Sequence, residues 1–268
     1  MKGARLAAIV FLMVVGGACV FADLLLPASY AHQFRDEPNA APSSQHLLGT
    51  DDLGRDRFVR MLYGTRVSLL LAPAAAFVAS LLAALIGGVA GFAGGWVQKG
   101  VMAATDLFLS LPWLFLLITV RAVLPLNVSP LISVAITFAL LGCLGWAAAA
   151  RVVCADTTSL RESDFVLLAR ASGSGGWRLL WRHIVPNLQS VLLAQFWIAV
   201  PAFILTEANL GMLGLGVAEP LPSWGSLLRE LQSYSVLSGQ PWQFVPLILF
   251  ILVVSSFHLL LLKQEWSA

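Results

Sequence analysis

Apolar positions in this chain come in unbroken stretches rather than as alternating or single-faced patterns. Six stretches stand out: 6–26, 67–92, 102–124, 130–150, 188 to about 205, and 242–262. A helix that crosses the hydrocarbon core of a bilayer needs about 20 mostly apolar residues. The pattern therefore predicts an all-α, polytopic membrane protein with about six transmembrane helices. It divides the chain into a first helix with an external loop (1–66), a core transmembrane domain (67–262) and a short tail (263–268). Lys2 and Arg5 precede the first stretch as they would precede a secretory signal. The stretch is long for a signal, however, and Gly16-Gly17-Ala18-Cys19 lacks the branched apolar residue expected before a lipoprotein-type small pair. Gly87, Gly91 and Gly95 recur every four residues, a spacing that permits close helix packing.

Three polar segments interrupt the apolar runs. The first, 27–66, contains His46-Leu47-Leu48-Gly49-Thr50-Asp51-Asp52-Leu53-Gly54-Arg55-Asp56, which reads as a structured turn. It lacks the alternating oxygen ligands and closing glutamate of an EF-hand. The second, 151–187, holds Ser159 and Glu162 at capping-box spacing, predicting a helix from about Leu160 to Ser172. Phe165, Leu168 and Ala169 share one face of it, Arg161 and Arg170 lie elsewhere, and Gly173 ends it. A second amphipathic helix follows, with Trp177, Leu180, Trp181 and Ile184 on one side and Arg178 and Arg182 on the other, stopped by Pro186. The third segment, 207–241, alternates Gly211, Gly214 and Gly216 with apolar residues and continues into Pro220-Leu221-Pro222-Ser223-Trp224-Gly225. That composition predicts a re-entrant or interfacial loop buried in protein.

Composition sharpens the picture. Residues are 59% hydrophobic and 11% charged, against about 25% charged in a soluble domain. A net charge of +2 gives no reason to expect nucleic acid. Cys19, Cys143 and Cys154 form no metal-ligand spacing, so no metal site is expected. With the amino terminus inside, the cytoplasmic cations are Lys2, Arg5, Lys99, Arg151, Arg161, Arg170, Arg178, Arg182 and Lys263. The outer ones are Arg35, Arg55, Arg57, Arg60, Arg66, Arg121 and Arg229, and the excess predicts cytoplasmic termini. The two long outer loops also hold eight acids: Asp36, Glu37, Asp51, Asp52, Asp56, Glu207, Glu219 and Glu230.

Taken together, these segments resemble the inner-membrane permeases of ATP-driven peptide and nickel importers, of the dipeptide/oligopeptide C-subunit type. Three blocks carry the resemblance. One is Leu48-Gly49-Thr50-Asp51-Asp52-Leu53-Gly54-Arg55-Asp56. Another is Gly173 followed by Arg182-His183-Ile184-Val185-Pro186-Asn187. The last is Leu213-Gly214-Leu215-Gly216-Val217 running on to Pro222-Ser223-Trp224-Gly225. The family loop reads Glu-Ala-Ala before its glycine; here Leu167 and Leu168 replace the first two and only Ala169 remains. Where many relatives continue with a Gly-Asp-x-x-Arg-Asp type tail, this sequence reads Lys263-Gln264-Glu265-Trp266-Ser267-Ala268.

The resemblance implies a type I importer permease fold in the bacterial inner membrane and a cytoplasmic loop at 151–187. On it, ATPase docking and coupling would fall to Phe165, Leu168, Ala169, Arg170, Gly173, Arg182, Ile184, Pro186 and Asn187. It implies as partners a second permease, two cytoplasmic ATPases, an external substrate-binding protein and membrane lipid. No cofactor is expected on this chain, and ATP would sit on the partner ATPases. Consistently, there is no G-x-x-x-x-G-K-[ST] loop, so no enzymatic activity is expected of the chain itself.

The alternative is a secondary transporter or channel-like protein without ATPases, which predicts inverted repeats and ionisable residues at mid-span. Asp106 is the main ionisable candidate, and a position near the cytoplasmic end with water or backbone partners accounts for it. A rhomboid-like protease would need G-x-S-G inside a span; Ser172-Gly173 lacks the first glycine and lies in a polar loop. His258, the histidine within a predicted span, is expected to pack or hydrogen-bond at a helix interface.

Overall fold

The computed structural model describes residues 2–25, 29–125, 128–232 and 240–261, which are largely helical. The helices are α1 (Lys2–Val20), α2 (Ala22–Leu25), α3 (Arg57–Ala93), α4 (Gly95–Ser110), α5 (Trp113–Val123) and α6 (Pro130–Leu144). They continue with α7 (Ala147–Arg161), α8 (Asp164–Ala171), α9 (Gly176–Leu179), α10 (Gln189–Met212), α11 (Trp224–Glu230) and α12 (Val245–Leu261). Among the described residues the extended pairing is one antiparallel bridge, Thr50 with Asp56. The tail at 263–268 and the first residues of the segment beginning at 27 lie outside the described residues.

Five stretches are long and apolar enough to cross a membrane: Gly3–Val20, Arg57–Ala93, Pro130–Arg161, Gly176–Met212 and Pro241–Leu261. The third apolar run is not one straight span. It forms α4 and α5, bent by 82°, and counts as a sixth span only if the pair is taken together. The bend has a local cause: Pro112 excludes the helical conformation from the residue before it, and Leu111 is extended (φ −76°, ψ 133°).

Other boundaries also move. The helix predicted to begin near Leu160 begins after Ser163, because Ser159 and Glu162 close α7 instead of opening α8. Helix thus takes up the first residues of the 151–187 segment. Pro186 does not stop the chain: it opens a 3-10 turn (Val185–Leu188), where its missing N–H breaks no bond, and α10 follows directly. Glu207, expected in a loop, is helical and fully buried in α10.

By contacts the chain forms two units. The first comprises Met1–Ala72, Val120–Phe138 and Pro201–Ala268. In it α1 packs along α12, and Arg5 donates to the Leu260 carbonyl (3.3 Å). Cys19, Ala22 and Leu62 form a small core there with Val15, Ala18, Phe58 and Tyr63. The second unit comprises Pro73–Thr119 and Ala139–Val200. Its core joins Ala83, Ala150, Val153, Val166, Leu179, Ile184 and Leu188. The small residues expected to mediate packing do so within the chain: a Cβ on Gly87 would lie 2.3 Å from the Ala150 carbonyl oxygen, and one on Gly91 2.6 Å from that of Cys154. Gly95 differs, opening α4 with nothing close to it.

Candidate functional site

Two local arrangements carry the residues singled out in the sequence, one in each unit. In the second unit, α8 is an eight-residue helix with Ser163 as N-cap, Asp164 in its first turn and Arg170 in its last, each sign suited to the helix dipole. Its end is a complete Schellman motif. Gly173 has φ 82° and donates to the Arg170 carbonyl (3.0 Å), while Ser174 donates to the Ala169 carbonyl (3.1 Å). Val166 is the side chain that anchors α8 in the core, with Ala169 packed beside it. Phe165 (43% exposed), Leu167 and Leu168 (68% exposed) therefore face outward. Such an apolar face on a short helix is the kind that seats in a groove of another protein.

The following segment departs from the predicted amphipathic pattern. α9 passes into a π-helical turn, Leu180–Ile184, whose extra residue shifts the register. The inward set is Leu179, Ile184 and Leu188, whereas Trp177 and Trp181 are exposed. Ile184 is thus core and not a surface contact, while Arg170, Arg182, Pro186 and Asn187 are exposed. Asn187 Nδ2 donates to the His183 carbonyl (2.6 Å). Asp106 pairs with Arg151 at 3.3 Å, both half-exposed, a side-chain partner beyond the water or backbone partners expected of it.

In the first unit, the Gly49–Asp56 block folds into a turn built around Asp51. This buried carboxylate accepts from the backbone N–H groups of Leu53 (2.9 Å) and Arg55 (2.8 Å) and from Arg55 Nε (2.6 Å). Gly49 and Gly54 take positive φ, 68° and 74°, and a Cβ on Gly54 would strike the Phe34 carbonyl oxygen at 2.1 Å. Thr50 ties the turn to the preceding loop, donating to the Glu37 carbonyl and accepting from Ala40 N–H (2.9 Å). Asp56 caps α3 through Phe58 and Val59 N–H (2.9 and 3.0 Å) and meets His46 Nδ1 at 2.8 Å.

Around this turn three arginines and three carboxylates form a closed ionic group. Arg55 Nη1 reaches Glu219 Oε2 (2.6 Å), and Arg57 Nη1 reaches Glu230 Oε2 (2.9 Å). Arg60, fully buried, reaches Glu219 Oε1 (3.0 Å), with Asp51 at 3.6 Å and Glu230 at 3.7 Å. Burial alone would lower the Arg55 guanidinium, but its hydrogen bond to Asp51 and the charge of Glu219 leave it raised. Burial pushes the Glu230 carboxyl up despite Arg57 and Arg60. The Arg55 direction suits mutual support, a guanidinium kept charged by its carboxylates, whereas at Glu230 the facing cations offset desolvation only in part.

The third motif completes this unit. Gly214 (φ 77°) ends α10 in a second Schellman motif, Gly214 to Gly211 and Leu215 to Leu210 (both 2.9 Å). Ser223 caps α11 reciprocally with Ser226, and Trp224 Nε1 donates to Thr65 Oγ1 (2.7 Å) inside the unit, beside buried Pro222. Gly211, Gly216 and Gly225 meet backbone to backbone: a Cβ on Gly211 would lie 2.4 Å from Gly225 Cα, and one on Gly216 2.6 Å from Gly211 Cα. Ser133 Oγ donates to the Gly216 carbonyl (3.3 Å) and accepts from Ala218 N–H (3.1 Å), while buried Arg121 donates to Ser133 Oγ (3.0 Å).

Glu219, Glu230, Arg57, Arg60, Arg121 and Ser133 were not among the motif residues. The sign available in the sequence was an arginine embedded among apolar residues, Arg60 in Phe58-Val59-Arg60-Met61-Leu62 and Arg121 in Thr119-Val120-Arg121-Ala122-Val123. His258 is exposed and its ring bonds the Val254 carbonyl of its own helix (2.9 Å).

The geometry defines a helical membrane protein with one short exposed helix held at a glycine turn and one closed ionic loop cluster. Residues 67–263 match the family described as the binding-protein-dependent transport system inner membrane component, and the chain belongs to that family. It is 32% identical to a dipeptide transport system permease protein of Bacillus subtilis (strain 168), over 96% of this chain and 78% of the relative. It is 34% identical to an oligopeptide transport system permease protein of the same organism, over 90% and 76%. A glutathione transport system permease protein of Pectobacterium atrosepticum is 32% identical over 95% of this chain and 82% of its own length.

Proposed function

We propose that the chain forms half of the translocation pathway of an ATP-driven importer for peptides or a related solute. It pairs with a second, similar permease, takes two cytoplasmic ATPases on its inner side and that of its partner, and receives substrate from an external binding protein. It does no chemistry and binds no cofactor; ATP belongs to the ATPases. Both termini and 151–187 are cytoplasmic, and 27–66 with 207–241 are outside.

The observation that supports this most is α8: an anchored, glycine-terminated helix that leaves Leu167 and Leu168 exposed and Phe165 half-exposed, its ring 6.4 Å from that of His183. Leu167, in the family's glutamate position, makes the docking face apolar throughout. The test is co-purification of the ATPases with Phe165→Asp, alongside uptake and membrane abundance. ATPase recovery falls at least about tenfold, equivalent to roughly 1.4 kcal/mol, because a charge is set at an apolar contact, with abundance kept. Full recovery and full uptake would overturn the proposal.

A further inference from the structure

The outward side of the segment after Gly173 is separate from the α8 face of Phe165, Leu167 and Leu168, although it holds Arg182, which the family resemblance gives to coupling. Leu179, Ile184 and Leu188 turn inward, which leaves Trp177, Arg178, Trp181 and Arg182 as one outward stripe. Trp177 is 73% exposed and Trp181 55%, their rings edge to face at 5.6 Å. Arg178 and Arg182 make no ion pair among the described residues. Glu162 and Asp106 pair with Arg161 and Arg151, and Asp164, exposed in the first turn of α8, pairs with neither arginine of the stripe among the described residues. The start of α9 lies against Phe92, the added Cβ of Gly176 being 3.6 Å from Phe92 Cζ. Four residues past Phe92, Trp96 is 88% exposed, with Lys99 Nζ 5.4 Å from its ring.

These features belong to the rim of a bilayer. Gly176–Met212 has 37 residues, about 55 Å of helix against about 30 Å of hydrocarbon, so its ends reach the headgroups. Indole rings favour that level, apolar body toward the acyl chains and N–H toward water. Cations beside them, without acids of their own, complement negative headgroups. A protein groove is the poorer match, since the apolar docking face of this unit lies on α8, on Phe165, Leu167 and Leu168.

We infer that Trp177, Arg178, Trp181 and Arg182 form a binding site for anionic phospholipid headgroups, the arginines on phosphate and the indoles at the level of the glycerol. The inference rests on the proposed function only for placing this end of the span at the inner leaflet. The experiment uses the transporter purified with its ATPases. It is titrated in detergent with phosphatidylglycerol and, separately, phosphatidylcholine, and bound lipid is counted by native mass spectrometry.

Phosphatidylglycerol binds preferentially. Arg178→Gln weakens it about fivefold, and Arg178→Gln with Arg182→Gln about 30-fold, as expected for two cations near an anionic surface; Arg178→Lys keeps most of the affinity. Equal binding of both lipids by the unsubstituted protein, or undiminished binding by the double variant, overturns the inference. So does loss of ATPases from Arg178→Gln with lipid binding unchanged, which would give the stripe to a protein partner. If ATPases fail to co-purify with the unsubstituted chain, the proposed function falls, and the same titration on the remaining chain still decides the lipid site.

Discussion

At Gly225 a single hydrogen separates two stretches of backbone. A Cβ there would lie 2.5 Å from Gly211 Cα and 3.0 Å from the Glu207 carbonyl oxygen. Neither neighbour is a flexible side-chain end that could swing aside, so the backbone itself must part. Overpacking of this kind costs about 1–3 kcal/mol. Gly225→Ala is therefore expected to lower the thermal unfolding midpoint of the purified protein, whereas Gly88→Ala, with open space around it, should leave it near the unsubstituted value. Equal midpoints for the two variants would contradict the close approach. Asp51 illustrates a different constraint at the same scale. Its two oxygens are taken up by two backbone N–H groups and a guanidinium, so a buried charge is tolerated because both oxygens have donors.

At the level of elements, α8 stands or falls with its C-terminal turn. Gly173 has no atom within 4 Å of an added Cβ, so a substitution there meets backbone strain alone. A β-branched residue at φ 82° pays about 1–2 kcal/mol or more, while Asn tolerates the left-handed region. Gly173→Val should thus reduce ATPase recovery and uptake several-fold, and Gly173→Asn should keep most of both. Indifference to Val would show that the turn does not set the docking helix.

The glycine was legible because its role is local: an apolar helix must end somewhere, and glycine ends it cheaply. The start of α8 was misread, since Ser159-x-x-Glu162 fits a capping box by spacing, yet the preceding span runs on to Arg161 and consumes it. Ala169, read on one docking face with Phe165 and Leu168, instead packs beside Val166 against the core, because α8 is attached to its own chain before it meets any partner. The bend at Pro112 could be read from that proline alone. The ionic group could not, since Arg60 and Glu219 lie 159 positions apart and no local pattern links them.

For the whole molecule, the decisive property is that so little charge must serve two aqueous faces. Lysine and arginine count most in short loops, and the bias of nine against seven is slight; the outer set is further reduced because Arg55, Arg57 and Arg60 are spent on carboxylates in one cluster. What remains unpaired among the described residues includes Arg170, Arg178 and Arg182, all exposed and all in the set proposed to face the cytoplasm. Topology is testable by single cysteines at Ser44 and Ser174 in a background without the native three. An impermeant thiol reagent, applied to intact cells whose outer barrier has been opened, should label position 44 and spare 174. The reverse pattern would invert the orientation.

The brevity of α8 has a consequence in time as well as in space. Eight residues make a helix too short to persist by itself, and this one is tied down chiefly by Val166 and Ala169. Its amides should open far more often than those of the long spans, placing it among the least protected segments toward deuterium. A partner seated on Phe165, Leu167 and Leu168 would slow that opening without moving any atom far. The exchange rate of this one turn-bounded helix would then act as a clock that reads whether its outer face is occupied.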